Sequence, residues 1–333
     1  MRRGRPGDGD GRGAAALTVV DQGALAETRA FNAELERLLS EQAPVYSVPP
    51  EVSRRIRREG RGIFPPPVFL PQARDHLIQG RGGEIRLRLL RPEEPAAGVY
   101  LHIHGGGWVL GECDEYDARL WEMVEATGLA AISVGYRLSP EHPYPAAPDD
   151  CEDAALWLLE RGLDELGLPE KLGIGGESAG AHLAVVTLLR LRDRHGIRGA
   201  FGVANLVFGV FDLSATPSRR NWGERDLVLS TPIMDWFGRQ FIGDREGEEL
   251  CDPDISPLYA ELDDLPPALF TVGELDPLLD DSLFMEARWR AAGNEAELRV
   301  WPECVHGFTA FPLAHSRAAT HAMYDFAREK LEL

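Results

Sequence analysis

From about residue 85 onward, short apolar runs alternate with amphipathic segments. The runs at 85–90, 99–104, 130–136, 171–175, 202–210, 268–273 and 297–301 predict strands, several of them apolar almost throughout, as strands covered on both faces are. Between them, helical periodicity covers 117–127, 148–165, 179–195, 281–292 and 313–330. Strand and helix in alternation imply an α/β fold around a largely parallel sheet. The 179–195 helix is apolar nearly all round until Arg190, Arg192, Arg194 and His195, which predicts a buried start and an exposed end. Those cations suit a C-terminal dipole, and Gly196 supplies the stop.

Two segments fall outside the alternation. Residues 20–64 carry a helical stripe of Phe31, Leu35, Leu38 and Leu39, then a short second helix ending before Pro65, Pro66 and Pro67. Residues 212–250 place Trp222, Trp236, Phe237 and Phe241 around another helix inserted between two strands. Both are expected to fold over the sheet as a lid. The expected organisation is a disordered tail over 1–15, where "MRRGRPGDGDGRG" has no apolar periodicity, N-terminal cap helices over 16–64, and one domain over 65–333 with a cap insertion at about 212–250.

Length and charge narrow the function. A chain of 333 residues buries a large core, and a net charge of −19 argues against nucleic acid, which requires concentrated Lys and Arg. The one basic run, Arg54, Arg55, Arg57 and Arg58, reads as the solvated face of a helix. No apolar stretch approaches the roughly 18 residues of a membrane span, and residues 14–20 are too short a run for a signal peptide, so a cytoplasmic protein is expected. Cys113, Cys151, Cys251 and Cys304 lie far apart without metal-ligand spacing and read as reduced structural thiols.

The chemistry concentrates in a few motifs. In "KLGIGGESAGAHLAVVTLLR" a strand enters Gly176-Glu177-Ser178-Ala179-Gly180 and a helix follows at once. That is G-x-S-x-G in the strand–turn–helix context of a nucleophile elbow. The turn is tight enough to demand Gly176 and Gly180, and it projects the Ser178 hydroxyl clear of the chain. A serine hydroxyl needs a base, itself oriented by a carboxylate, and in this fold the order is Ser, acid, His. Asp276 and His306 each follow a strand run, the sheet edge where active sites collect. Asp280 and Asp281 are rivals for the acid, but they fall in a helix's acidic first turn. "HIHGGGWVLG" places three glycines directly behind a strand, where their cost in backbone entropy calls for a function. Such glycines let backbone amides point at the oxyanion of acyl transfer; Gly106 and Gly107 are the expected donors, with the Ala179 amide as the third. His102 and His104 share a strand face but lack a third ligand, so no metal is expected.

Taken together, "HGGGW" at 104–108, "YRLSPEHPYPAAPDD" at 136–150, "GESAG" at 176–180, "DPLLDD" at 276–281 and "HGF" at 306–308 resemble the hormone-sensitive lipase (HSL-like) family of α/β-hydrolases. The resemblance implies an eight-stranded α/β-hydrolase core, a helical cap, and cofactor-free hydrolysis of short- to medium-chain acyl esters. It matches Ser178, Asp276 and His306 to the triad and Gly106, Gly107 and Ala179 to the oxyanion hole. Glu177 departs from the Asp or Thr more frequent at that position, which blurs the subgroup. Trp108 and Phe308 are expected to line the substrate pocket. Dehydration, amide hydrolysis or deacetylation on the same scaffold, and a non-catalytic ligand receptor, stand as alternatives. The only partner implied is a small-molecule ester, and the last strand and helix offer a face for homodimer pairing.

Overall fold

The computed structural model describes residues 21–333, so the expected 1–15 tail lies outside the described residues. At its centre, eight strands pair in the order β1-β2-β4-β3-β5-β6-β7-β8. They are β1 (Arg74–Gly80), β2 (Gly83–Leu90), β3 (Gly98–Ile103), β4 (Leu129–Gly135), β5 (Leu172–Glu177), β6 (Val203–Val207), β7 (Ala268–Leu275) and β8 (Ala296–Val305). β2 runs antiparallel to both its neighbours, and every other pairing is parallel. β3 is buried at every position, as its continuous apolar run requires. β2 alternates instead: Ile85, Leu87 and Leu89 enter the core, while Arg88 forks onto Asp117 at 2.6 and 2.9 Å.

The strand absent from the sequence reading is β1. It is a sheet edge with mostly exposed side chains, so it carries no apolar run, and its one local signal is the two-residue Arg81-Gly82 turn between the paired Gly80 and Gly83.

Ten helices are described: α1 (Gln22–Ser40), α2 (Pro50–Arg58), α3 (Asp117–Thr127), α4 (Ala146–Trp157), α5 (Leu163–Leu166), α6 (Ala179–His195), α7 (Pro217–Trp222), α8 (Thr231–Ile242), α9 (Leu279–Ala291) and α10 (Ala314–Lys330). α4, α6 and α9 cover one sheet face; α3 and α10, with α1 beside them, cover the other. The expected 148–165 helix is divided into α4 and α5 by a π-turn at Leu158–Gly162.

α6 has the predicted span, but its burial extends further than its sequence indicates, to Arg192. The Arg190 side chain is 2 % exposed because Asp254 takes its fork and Asp149 and Glu152 accept from its remaining nitrogen. Acids from distant segments neutralise it, and no periodicity announces such partners.

The N-terminal segment divides its work. α1 packs on β8 and α10, with Phe31 against Phe311 at 4.7 Å and the Asn32 amide donating to the Glu303 carbonyl at 2.7 Å. The stretch after it crosses the carboxyl ends of the strands. There α2 departs from the expected solvated face: Arg54 reaches Glu141, Arg57 reaches Glu115, and Arg58, itself exposed, reaches Asp114, while Arg55 faces outward. The 212–250 segment supplies α7 and α8, and α8 meets the turn Val45–Ser47 that precedes α2.

Candidate active site

β5 ends at Glu177 and α6 begins at Ala179, which leaves Ser178 alone in the turn with φ 56° and ψ −119°. A non-glycine residue there is strained by about 1–3 kcal/mol, and the flanks show what enforces it. A Cβ on Gly176 or on Gly180 would land on the Ile103 carbonyl of β3. The Ser178 amide donates to Val207 at 2.8 Å, tying the turn to β6.

Asp276 follows β7 and His306 follows β8, and the folded chain brings both to Ser178. His306 Nε2 lies 3.0 Å from Ser178 Oγ, and His306 Nδ1 lies 2.9 Å from Asp276 Oδ2. Asp276 is 1 % exposed, and its other oxygen accepts the Leu278 amide at 2.9 Å. A carboxylate at Nδ1 holds the proton there, leaving the Nε2 lone pair to accept from the serine hydroxyl. The rival acids point elsewhere. Asp280 accepts from the Ser218 amide, and the buried Asp281 accepts from the amides of Phe211 and Asp212 and the hydroxyl of Thr216. Burial pushes the Asp281 carboxyl up to about 7.

The glycine loop turns with φ +122° at Gly106, +59° at Gly107 and 61° at Trp108. A Cβ on Gly106 would strike the Leu110 carbonyl, and one on Gly107 would strike the Phe237 ring. Residues remote in sequence hold the loop. The Tyr136 hydroxyl donates to the His104 carbonyl at 2.8 Å, the Gly105 amide donates to the Tyr116 hydroxyl at 3.2 Å, and the Ser139 amide donates to the Trp108 carbonyl at 2.9 Å. The Trp108 indole donates to His182 Nδ1 at 3.2 Å, while His182 Nε2 donates to the Ile255 carbonyl. Burial holds His182 neutral, its pKa pushed down to about 4, which keeps Nδ1 an acceptor. These anchors were missed in sequence because each is an ordinary residue until the fold supplies its partner.

Next to Ser178 in the chain, Glu177 accepts from His102 Nε2 at 3.0 Å and lies 3.5 Å from Arg119, while His102 Nδ1 meets the Ser133 hydroxyl. Burial opposes the Glu177 charge, but the neighbouring His102 and Arg119 outweigh it and hold the pKa down at about 2. His104 is engaged separately, stacked 4.2 Å from Tyr136. Among the described residues no group of three or more His, Cys, Asp or Glu side chains is placed to hold a metal, and no helix is long and apolar enough to cross a membrane.

Ser178 and His306 open into a cavity of about 730 Å³ whose walls are largely apolar, formed by Val45, Ile56 and Phe64 from the N-terminal segment and Phe208, Met234 and Phe237 from the sheet side and the insertion. Trp108 lines it, stacked on Phe241 at 4.4 Å. Phe308 does not: it is fully buried behind the wall against Phe208 and Trp301, because the short helical turn after His306 directs it into the core.

With this geometry in place, comparison with known proteins is decisive. A family model described as the alpha/beta hydrolase fold matches residues 100–310. The chain is 35 % identical over 262 residues to the carboxylic ester hydrolase LipN of Mycobacterium tuberculosis, covering 77 % of this chain and 69 % of that one. This chain belongs to the HSL-like carboxylesterases. Other members include an ethyl acetate hydrolase of Pseudomonas putida, 30 % identical across 83 % of this chain and 88 % of that one, and an acetyl esterase of Salmonella schwarzengrund, 30 % identical across 74 % and 76 %. Among solved structures, the Pyrobaculum calidifontis esterase superposes with a TM-score of 0.81 at 29 % identity, covering 90 % of this chain and 97 % of that one. The HSL-like carboxylesterase is thus an α/β-hydrolase whose eight strands are mostly parallel and flanked by helices.

Proposed function

We propose that this carboxylesterase hydrolyses short- to medium-chain acyl esters through Ser178, His306 and Asp276. The observation that carries the reading is the continuous hydrogen-bond chain from Ser178 Oγ through both imidazole nitrogens to Asp276, at 3.0 and 2.9 Å. Ser178 Oγ attacks the ester carbonyl carbon as its proton passes to His306 Nε2, and the carbonyl π electrons move to oxygen. The amides of Gly106, Gly107 and Ala179 receive that oxyanion. Its collapse breaks the bond to the alcohol oxygen, which takes the proton from His306 and leaves. Water then attacks the acyl-enzyme, giving a proton to His306. The second collapse releases the acid and returns the proton to Ser178 Oγ. Asp276 stays ionised throughout and stabilises the imidazolium.

The substrate range rests on the cavity. At about 730 Å³ with largely apolar walls, it accommodates an acyl chain longer than acetyl together with its alcohol. The names of the acetyl esterase and ethyl acetate hydrolase relatives agree with the short end of that range. Nucleophile removal tests the reading: Ser178→Ala lowers kcat on p-nitrophenyl butyrate by roughly 10⁶, with a folded protein by circular dichroism. Turnover at the parent rate would refute it. A series of nitrophenyl esters from acetate to laurate then maps the chain-length limit.

A further inference from the structure

Several backbone groups of the oxyanion loop are held from beneath or within the loop. His104, Gly105 and Trp108 are held by Tyr136, Tyr116 and Ser139, and the Gly106 carbonyl accepts from the Val109 and Leu110 amides at 3.1 and 2.8 Å. The Val109 carbonyl is held differently. It is held from above, by Arg54 of α2, whose Nε donates to it at 2.7 Å. The same guanidinium donates at 2.8 Å to the Ser139 carbonyl, and Ser139 is the residue whose amide holds Trp108. Glu141 locks the rest of the fork with two contacts of 2.8 Å. Arg54 therefore bridges the end of the glycine loop at Val109 and the Ser139 segment that holds Trp108, although it sits on a helix that also walls the cavity through Ser53, Ile56 and Arg57.

On these contacts we propose that Arg54 is a positioning residue for the oxyanion hole, acting through the carbonyls of Val109 and Ser139. The inference rests on the acyl-transfer reading above. Removing Arg54 leaves two carbonyls at the base of the loop without their donor, and Gly106, with no side chain and φ +122°, adds no side-chain packing that would oppose a shift in the amide direction. An oxyanion exists only along the reaction path, so the loss falls on kcat and spares the binding of substrate. Lysine cannot replace the planar fork that reaches two carbonyls and a carboxylate at once.

The test compares Arg54→Met and Arg54→Lys with Arg58→Met, which removes the Arg58–Asp114 contacts from the same helix without touching the oxyanion loop. Steady-state kinetics on p-nitrophenyl acetate are paired with inhibition by an alkyl trifluoromethyl ketone, whose carbonyl adds Ser178 reversibly to form a tetrahedral oxyanion. Arg54→Met is expected to lower kcat by about 10- to 100-fold, below the 10²–10³ lost when a donor is removed outright, with KM within about twofold. Ketone affinity falls by a similar factor, Arg54→Lys lies between, and Arg58→Met keeps kcat within about twofold of the parent. Unchanged kcat in Arg54→Met, a rise in KM alone, or equal losses in Arg54→Met and Arg58→Met would each overturn the proposal. If Arg54→Met does not fold, Arg54→Lys carries the same criterion. A parent enzyme without turnover on any nitrophenyl ester would count against the acyl-transfer reading, whereas a fully active parent with an indifferent Arg54 counts against this inference alone.

Discussion

Replacing Asp276 by asparagine changes one atom pair and sets the histidine against the reaction. The Asp276 side chain is fixed from two sides: one oxygen accepts the Leu278 amide at 2.9 Å and the other faces His306 Nδ1 at 2.9 Å. In asparagine the carbonyl oxygen must stay on Leu278, because an NH₂ there would oppose an N–H donor in a site 1 % exposed. The NH₂ is then directed at Nδ1, which accepts only if the imidazole proton moves to Nε2. That proton points at Ser178 Oγ, 3.0 Å away, and the base has become a donor. The expected loss in kcat is roughly 10⁴, or about 5 kcal/mol of transition-state stabilisation, with KM little changed because Asp276 lies behind the histidine. Steady-state kinetics on p-nitrophenyl butyrate at pH 7.5 measure it. Asp276→Ala imposes no tautomer, so it is expected to retain at least as much activity as Asp276→Asn. Residual activity in the asparagine variant above a tenth of the parent, or an alanine variant clearly worse than the asparagine one, would refute this reasoning.

Three further outcomes are expected. Gly107→Ala places a methyl on the Phe237 ring at a backbone φ of +59°, and kcat falls by about 10²; adding Phe237→Ala relieves the clash and restores part of it, so a double variant no better than the single rejects steric displacement as the cause. Glu177 binds its proton less readily folded than unfolded, with a pKa held at about 2 against an ordinary 4.5, so its contribution, at most about 3 kcal/mol, is present above pH 4.5 and fades as pH falls toward 2. The gap in thermal midpoint between parent and Glu177→Gln should therefore be full at pH 7 and narrow below pH 4.5; a gap that widens on acidification contradicts the assignment. Burial pushes the thiols of Cys113 and Cys304 up to about 12, so iodoacetamide at pH 8 should leave esterase activity intact, and rapid inactivation with carboxymethylation of Cys304, two residues from His306, would show that thiol to be accessible and reactive.

Much of this molecule is written locally. The elbow is legible because a turn that forces a serine to φ 56° between a strand and a helix tolerates only glycine at Gly176 and Gly180, and that demand leaves a motif. The glycine loop after β3 is legible for the same reason, and β3 to β7 are legible because strands buried on both faces must be apolar. β1 was not, since an exposed edge places no such demand on its side chains.

Contacts between distant segments required the fold. Arg54, Arg57 and Arg58 have the periodicity of an exposed helix face, yet they dock α2 onto acids and carbonyls that follow the glycine loop. Arg190 looks like a helix-end cation and is instead buried among Asp149, Glu152 and Asp254. Phe308 adjoins His306 in sequence and still faces the core. Backbone conformation and burial constrain the identity of a residue at its own position, so the sequence records them. A hydrogen bond between residues 55 apart, such as Arg54 to Val109, constrains only a pair, and neither member carries a mark of it until the chain has closed.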